Sequence, residues 1–143
     1  MVSHNNTTST SLSCKNVQES IIPSISTLMP NASSALPNKV VVYVPSTVDI
    51  NHSAPEQQIA ETKNTATVLS RLFGGCTTTQ AVGCYVDNSG ELITESVMLC
   101  YAYCSDDALR GGIRDIVALC LALKKHMGQE AISLEVNNKL YFI

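Results

Sequence analysis

Arg110 and Arg114 stand four residues apart in a stretch of helical periodicity, so both side chains project from the same side of a helix. Two guanidiniums held in this way can clamp a phosphate, because each presents planar donors in a fixed fork. Asp106 continues their stripe, and Asp115 lies beside Arg114. Gly111 and Gly112 fall between the arginines, where each costs about 1 kcal/mol relative to Ala in a helix interior. That pair predicts a close approach to the backbone, by a helix of another subunit or by a ligand. The competing reading is an exposed charged face, with Asp106 paired to Arg110 and Arg114 to Asp115 or a neighbour, which contributes little to stability.

Aromatic side chains are the other groups able to hold a ligand. Tyr101 and Tyr103 are two residues apart and share one face of a long apolar strand. With Tyr85 and Phe73 they are candidates to stack on a nucleobase, against the alternative of ordinary core packing. Tyr141 is read as packing.

Other chemistry finds less support. Cys100 and Cys104, spaced C-x3-C on a strand, face one way but stand too far apart for one ion, and no histidine lies near them. No metal site is expected, and no cofactor. His4, His52 and His126 lack a nucleophile to serve; His126 suits a helix end. Glu91 and Glu95 could act as paired carboxylates, but solvent-facing strand positions explain them too. Gly74-Gly75 lacks the Lys-Ser/Thr of a phosphate loop, which leaves triphosphate hydrolysis unsupported.

The elements that would position these residues read clearly. Lys39–Val44 is a β-branched run stopped by Pro45, apolar on both faces, and therefore a buried strand. Ser53 followed by Glu56 forms a capping box with Pro55 in the first turn, opening a helix from about 54 to 73 that Gly74-Gly75 ends. Residues 76–86 and 91–104 flank Asp87-Asn88-Ser89-Gly90 as a hairpin. Its second strand is apolar on both faces, so it is central in the sheet or covered by another subunit. Ser105 or Asp106 caps a second helix carrying Leu109, Ile113, Ile116, Val117, Cys120 and Leu123, with Gly128 beyond its end. Residues 131–136 and 139–143 pair around Asn137-Asn138. The order β-α-β-β-α-β-β predicts an α+β, two-layer domain, with two helices on one face of a largely antiparallel sheet.

That domain spans residues 38–143, roughly 105 residues, enough for a single core. Residues 1–37 are rich in Ser, Thr and Asn and read as a disordered tail, in which Ile21–Met29 is the one segment able to dock. With 9 Lys and Arg against 12 Asp and Glu, the net charge is −3. A groove for a long nucleic acid needs clustered positive charge and is not expected. A small anion requires only one or two arginines. No apolar run reaches the ~20 residues that span a bilayer, so no membrane segment is expected. The start of the chain lacks a secretory signal, and several of the six cysteines lie in apolar runs. Reduced thiols in a cytoplasm are therefore expected.

The runs VVVYVPST, LFGGCTTTQAVGCYVDNSGELITESVML and GQEAISLEVNNKLYFI resemble small phage proteins of the anti-Thoeris sponge group. These sequester cyclic ADP-ribose isomers, and some also take cyclic oligonucleotides. The resemblance implies a non-enzymatic binding protein in a host bacterial cytoplasm. It further implies a homo-oligomer, a dimer or a larger ring, with a small cyclic nucleotide ligand at subunit interfaces. Arg110 and Arg114 would then hold phosphate, Tyr101, Tyr103, Tyr85 or Phe73 would stack on bases, and Asp115 would lie among the ligand-binding residues. The alternatives are a protein-interaction module that oligomerises without ligand, and an enzyme that degrades a cyclic nucleotide with His52, Glu91, Glu95 or Asp115.

Overall fold

The computed structural model describes residues 35–49 and 52–143, together with Leu28. The tail reading falls mainly on residues outside this set, as do Cys14 and Ile21–Met29 apart from Leu28. Ala35–Ile143 forms one compact unit.

Strand β1 (Asn38–Pro45) is followed by two short strands, β2 (Thr47–Val48) and β3 (His52–Ser53), and by helix α1 (Pro55–Phe73). A long hairpin of β4 (Thr77–Val86) and β5 (Leu92–Cys104) leads to helix α2 (Asp106–His126), and β6 (Ser133–Val136) and β7 (Lys139–Phe142) end the chain. The main sheet has the order β4-β5-β1-β6-β7, with every neighbouring pair antiparallel. The six main elements through β6 form the β-α-β-β-α-β arrangement of ferredoxin-like domains, with β7 added at one edge. The expected α+β two-layer architecture is what the chain adopts.

The register sorts the strand residues between two faces. Val40, Val42 and Val44 of β1 sit level with Ala102, Cys100 and Met98 of β5 and, where paired, with Val136 and Leu134 of β6. This face meets the helices, and its buried cluster includes Leu69 of α1 and Ile116, Cys120 and Leu123 of α2. Cys100, Cys104 and Cys120 are buried there as small apolar groups. Burial pushes the Cys120 thiol up to about 11. Burial and the neighbouring Cys76 push Cys100 up to about 12.

Local signals were used as expected at several places. Ser105 accepts a hydrogen bond from the Ala108 N–H at 3.2 Å and caps α2. Gly74 ends α1 in the left-handed conformation, φ 87°. Asn137 and Asn138 hold φ 51° and 64°, the primed turn that a two-residue hairpin requires. One signal was overridden. The expected capping box at Ser53 does not form: Ala54 precedes the helix, with no side-chain cap. Ser53 is instead paired with Thr47 in the β2–β3 ribbon. The Ala54 N–H donates to the Ser46 carbonyl at 2.8 Å.

Gly112, the second of the paired glycines in α2, also has a different cause from the one expected. A Cβ on Gly112 would stand 3.1 Å from Phe73 Cε1 and 3.6 Å from Leu72 Cδ1, whereas one on Gly111 would meet nothing within 4 Å. The close approach at Gly112 comes from α1 of the same chain. Neither a ligand nor a second subunit is needed to explain it.

Candidate functional site

The second face of the sheet carries no helix. Strand alternation places Val41 and Tyr43 of β1, Glu95, Val97, Leu99, Tyr101 and Tyr103 of β5, and Glu135 of β6 on it together. Tyr101 and Tyr103 meet edge to face with ring centroids 6.2 Å apart. Lys39, level with Tyr103 on β1, places Nζ 5.1 Å from the Tyr101 ring centre. This cation went unremarked in the sequence, although it is the single charge at the head of an apolar strand.

Tyr101, Tyr103 and Phe73 line one cavity of about 380 Å³ with the Gly74-Gly75 turn and Thr77. Three of the four expected stacking residues are thus brought to one place. Tyr85 is not: it lies far along the β4–β5 hairpin, opposite Ile93.

Arg110 lines a second, largely apolar cavity of about 520 Å³ between α2 and the β6–β7 pair, with Asp106, Leu109 and Tyr141. Arg114 and Asp115 are exposed one turn further along α2 and do not line it. The ion pairs expected from Asp106 to Arg110 and from Arg114 to Asp115 are not formed. Asp106 instead accepts a hydrogen bond from Asn38 Nδ2 at 2.7 Å. Among the described residues the only contact between a basic and an acidic side chain joins His126 Nδ1 and Glu61 Oε1, at 3.0 Å. Neither guanidinium has an ion-pair partner among the described residues.

A third hollow, of about 260 Å³, opens on the bare face of the sheet. Tyr43, Gly83, Glu95, Gln129 and Ser133 are among its walls. Gly83 is level with Glu95 across the hairpin. A Cβ on Gly83 would lie 3.3 Å from Glu95 Cγ and 3.5 Å from its Oε1, so the carboxylate side chain lies over the missing side chain. The Tyr43 hydroxyl donates to Glu135 Oε2 at 3.1 Å. Burial, together with that bond and the glutamate's charge, raises the Tyr43 pKa above its ordinary value and keeps the phenol protonated. Gln129 is fixed by donating to the carbonyls of Thr47 (2.8 Å) and Met127 (3.0 Å). Glu91, the other carboxylate weighed from the sequence, sits at the hairpin turn, where its N–H donates to Asp87 Oδ1. The two glutamates do not share the hollow. No group of three or more potential metal ligands occurs among the described residues, and no described helix is long and apolar enough to cross a membrane.

No protein-family model matches the chain, and no curated protein does. Among solved structures, a phage SAM lyase in complex with S-methyl-5'-thioadenosine aligns with a TM-score of 0.54 at 19% identity. That alignment covers 78% of this chain and 92% of the lyase. A phage SAM lyase in the apo state aligns with a TM-score of 0.52 at 20% identity, over 78% of this chain and 94% of the lyase. At this level of identity the likeness establishes a shared fold.

Proposed function

We propose that the protein acts on an adenosyl sulfonium of the S-adenosylmethionine class, as a phage factor that removes a small molecule the host depends on. The observation that carries this reading is the Glu95 carboxylate lying over Gly83 in a tyrosine-lined hollow. The phage SAM lyase fold, matched along almost the whole length of that enzyme, supports it. A sulfonium carries a full positive charge and is attracted by the exposed Glu95 carboxylate in the wall of the hollow. The Tyr43 ring in the same wall offers an apolar face to a purine.

As the bond from the amino-acid side-chain carbon to the positive sulfur breaks, its electron pair returns to sulfur, which leaves as a neutral thioether, while the substrate's own carboxylate bonds to that carbon and closes a lactone. Glu95 then loses its attraction for the product. The carboxylate so serves uptake of the charged substrate and release of the neutral nucleoside, and acceleration rests on how the hollow positions the substrate. The test is to incubate the full chain with S-adenosylmethionine and resolve the nucleosides by chromatography. Appearance of S-methyl-5'-thioadenosine supports the proposal. Intact S-adenosylmethionine after prolonged incubation with excess protein counts against it.

A second reading keeps the non-enzymatic expectation, in which the protein captures a cyclic ADP-ribose isomer or a cyclic oligonucleotide without turnover. The observations that favour it are Arg110 and Arg114, unpaired among the described residues, and the cavity shared by Tyr101, Tyr103 and Phe73. These supply phosphate donors and stacking surfaces. Under this reading the cyclic nucleotide raises the melting temperature and is recovered unchanged after heat denaturation.

A further inference from the structure

The cavity between α2 and the β6–β7 pair has no part in the sulfonium reading, and its chemistry is of another kind. Leu109, Ile113 and Val117 recur every fourth residue and so form one line along α2. They stay half-buried, whereas Ile116 and Cys120 beside them are fully buried. Across from that line, the β6–β7 register puts Leu134 level with Tyr141 and Val136 level with Lys139, all four on the face that meets the helices. Helix and strands do not close on each other, which leaves the space of about 520 Å³ between them. Pockets of roughly 300–1,000 Å³ lined by apolar groups are the usual setting for small ligands.

The charges around this cavity are not balanced. Arg110 and Asp106 are the charged residues in its lining. Asp106 is engaged by Asn38, whose Nδ2 donates to its Oδ1 at 2.7 Å, and among the described residues Arg110 has no ion-pair partner. Lys139 adds a second cation on the same face of β7. An occupant complementary to this site has an apolar body and one negative head.

We infer that the cavity binds an amphipathic monocarboxylate, with the aliphatic body against Leu109, Val117 and Leu134 and the carboxylate on the Arg110 guanidinium. A guanidinium meets a carboxylate with two parallel hydrogen bonds, while burial of the body removes apolar surface from water. A cyclic nucleotide, polar over most of its surface, gains little from such walls. The inference rests on neither functional reading, and the cavity lies on the opposite face of the sheet from Glu95.

The test is titration of the full chain with octanoate, followed by nuclear magnetic resonance and calorimetry, beside 1-octanol and an Arg110→Gln variant. Arg110 is exposed, so the variant keeps the fold. Saturable shifts at Leu109, Val117, Leu134 and Tyr141 support the site, provided that Arg110→Gln weakens octanoate about tenfold or more and leaves 1-octanol unaffected. An absence of saturable shifts, or shifts confined to the other face of the sheet, overturns it. So does equal affinity of wild type and variant for octanoate. A wild type that binds octanoate no better than 1-octanol also overturns it, a comparison that needs no variant.

Discussion

Glu95 lies over the α-carbon of Gly83, its Cγ 3.3 Å from where a side chain would begin. The cross-strand glycine is therefore a seat for the carboxylate. Substituting Gly83→Ala forces Glu95 to give by a few tenths of an ångström, while β4 and β5 remain paired. We expect the affinity for S-adenosylmethionine to fall severalfold with little loss of stability, since surface substitutions usually stay within about 0.5 kcal/mol. Calorimetric titration beside a thermal melt separates the two effects. Equal affinity in Gly83→Ala and wild type would remove the glycine from the site.

Gly111 and Gly112 should respond in opposite directions. Nothing lies within 4 Å of a Cβ on Gly111, so Gly111→Ala is expected to stabilise by about 0.5–1 kcal/mol through helix propensity and chain entropy. Gly112 is packed against Phe73 and Leu72. There Gly112→Leu overpacks the contact between the helices and should cost about 1–3 kcal/mol. For a domain of this size, each kcal/mol moves the melting temperature by about 4–8 °C. Denaturation curves of the two variants check both signs.

The arginines distinguish the two functional readings. Neither is ion-paired among the described residues, so Arg110→Ala and Arg114→Ala should leave stability nearly unchanged. If the ligand is a cyclic nucleotide held by its phosphates, losing either one weakens binding roughly tenfold or more, as expected for a charge-assisted hydrogen bond. If the ligand is a sulfonium held at Glu95, both variants bind it like the wild type. Titrating each variant with both ligand classes gives the answer.

The buried thiols make the fold sensitive to alkali. Burial raises the folded-state pKa of Cys100 to about 12 and of Cys120 to about 11, from an ordinary thiol value of 9.0. The unfolded chain therefore gives up these protons at lower pH than the folded one. Stability from this source is fully present below about pH 9 and is lost as the pH rises towards 11 and 12. Melts across that range should show the decline, and it should be smaller in Cys120→Ala once that variant's own baseline is subtracted. At neutral pH an alkylating reagent should modify the exposed Cys84 well before Cys100, Cys104 or Cys120.

Much of the fold was legible because its signals are local. The β-branched run of β1, Ser105 before α2, Gly74 after α1 and the Asn137-Asn138 turn each act through residues a few positions away. The β2–β3 ribbon was not legible, since two-residue strands have no periodicity, and its pairing displaced the cap expected at Ser53. The site was harder to read. Gly112 has no room for a side chain because of Phe73, and Tyr43 owes its hydrogen bond to Glu135, 92 residues away. Strand alternation placed Tyr101 and Tyr103 on one face correctly. It could not reveal that Gly83 stands opposite Glu95, because that depends on the hairpin register, nor that Asn38 takes the carboxylate expected to pair with Arg110.

The most direct test of the proposed activity compares wild type with Glu95→Gln, each incubated with S-adenosylmethionine, with S-methyl-5'-thioadenosine quantified by mass spectrometry. The expected result is accumulation of the thioether nucleoside with the wild type and a loss of at least tenfold with Glu95→Gln, whose melting temperature stays within a few degrees. An unreacted substrate with wild-type protein, or equal turnover by the two proteins, would contradict the assignment of Glu95 to an adenosyl sulfonium.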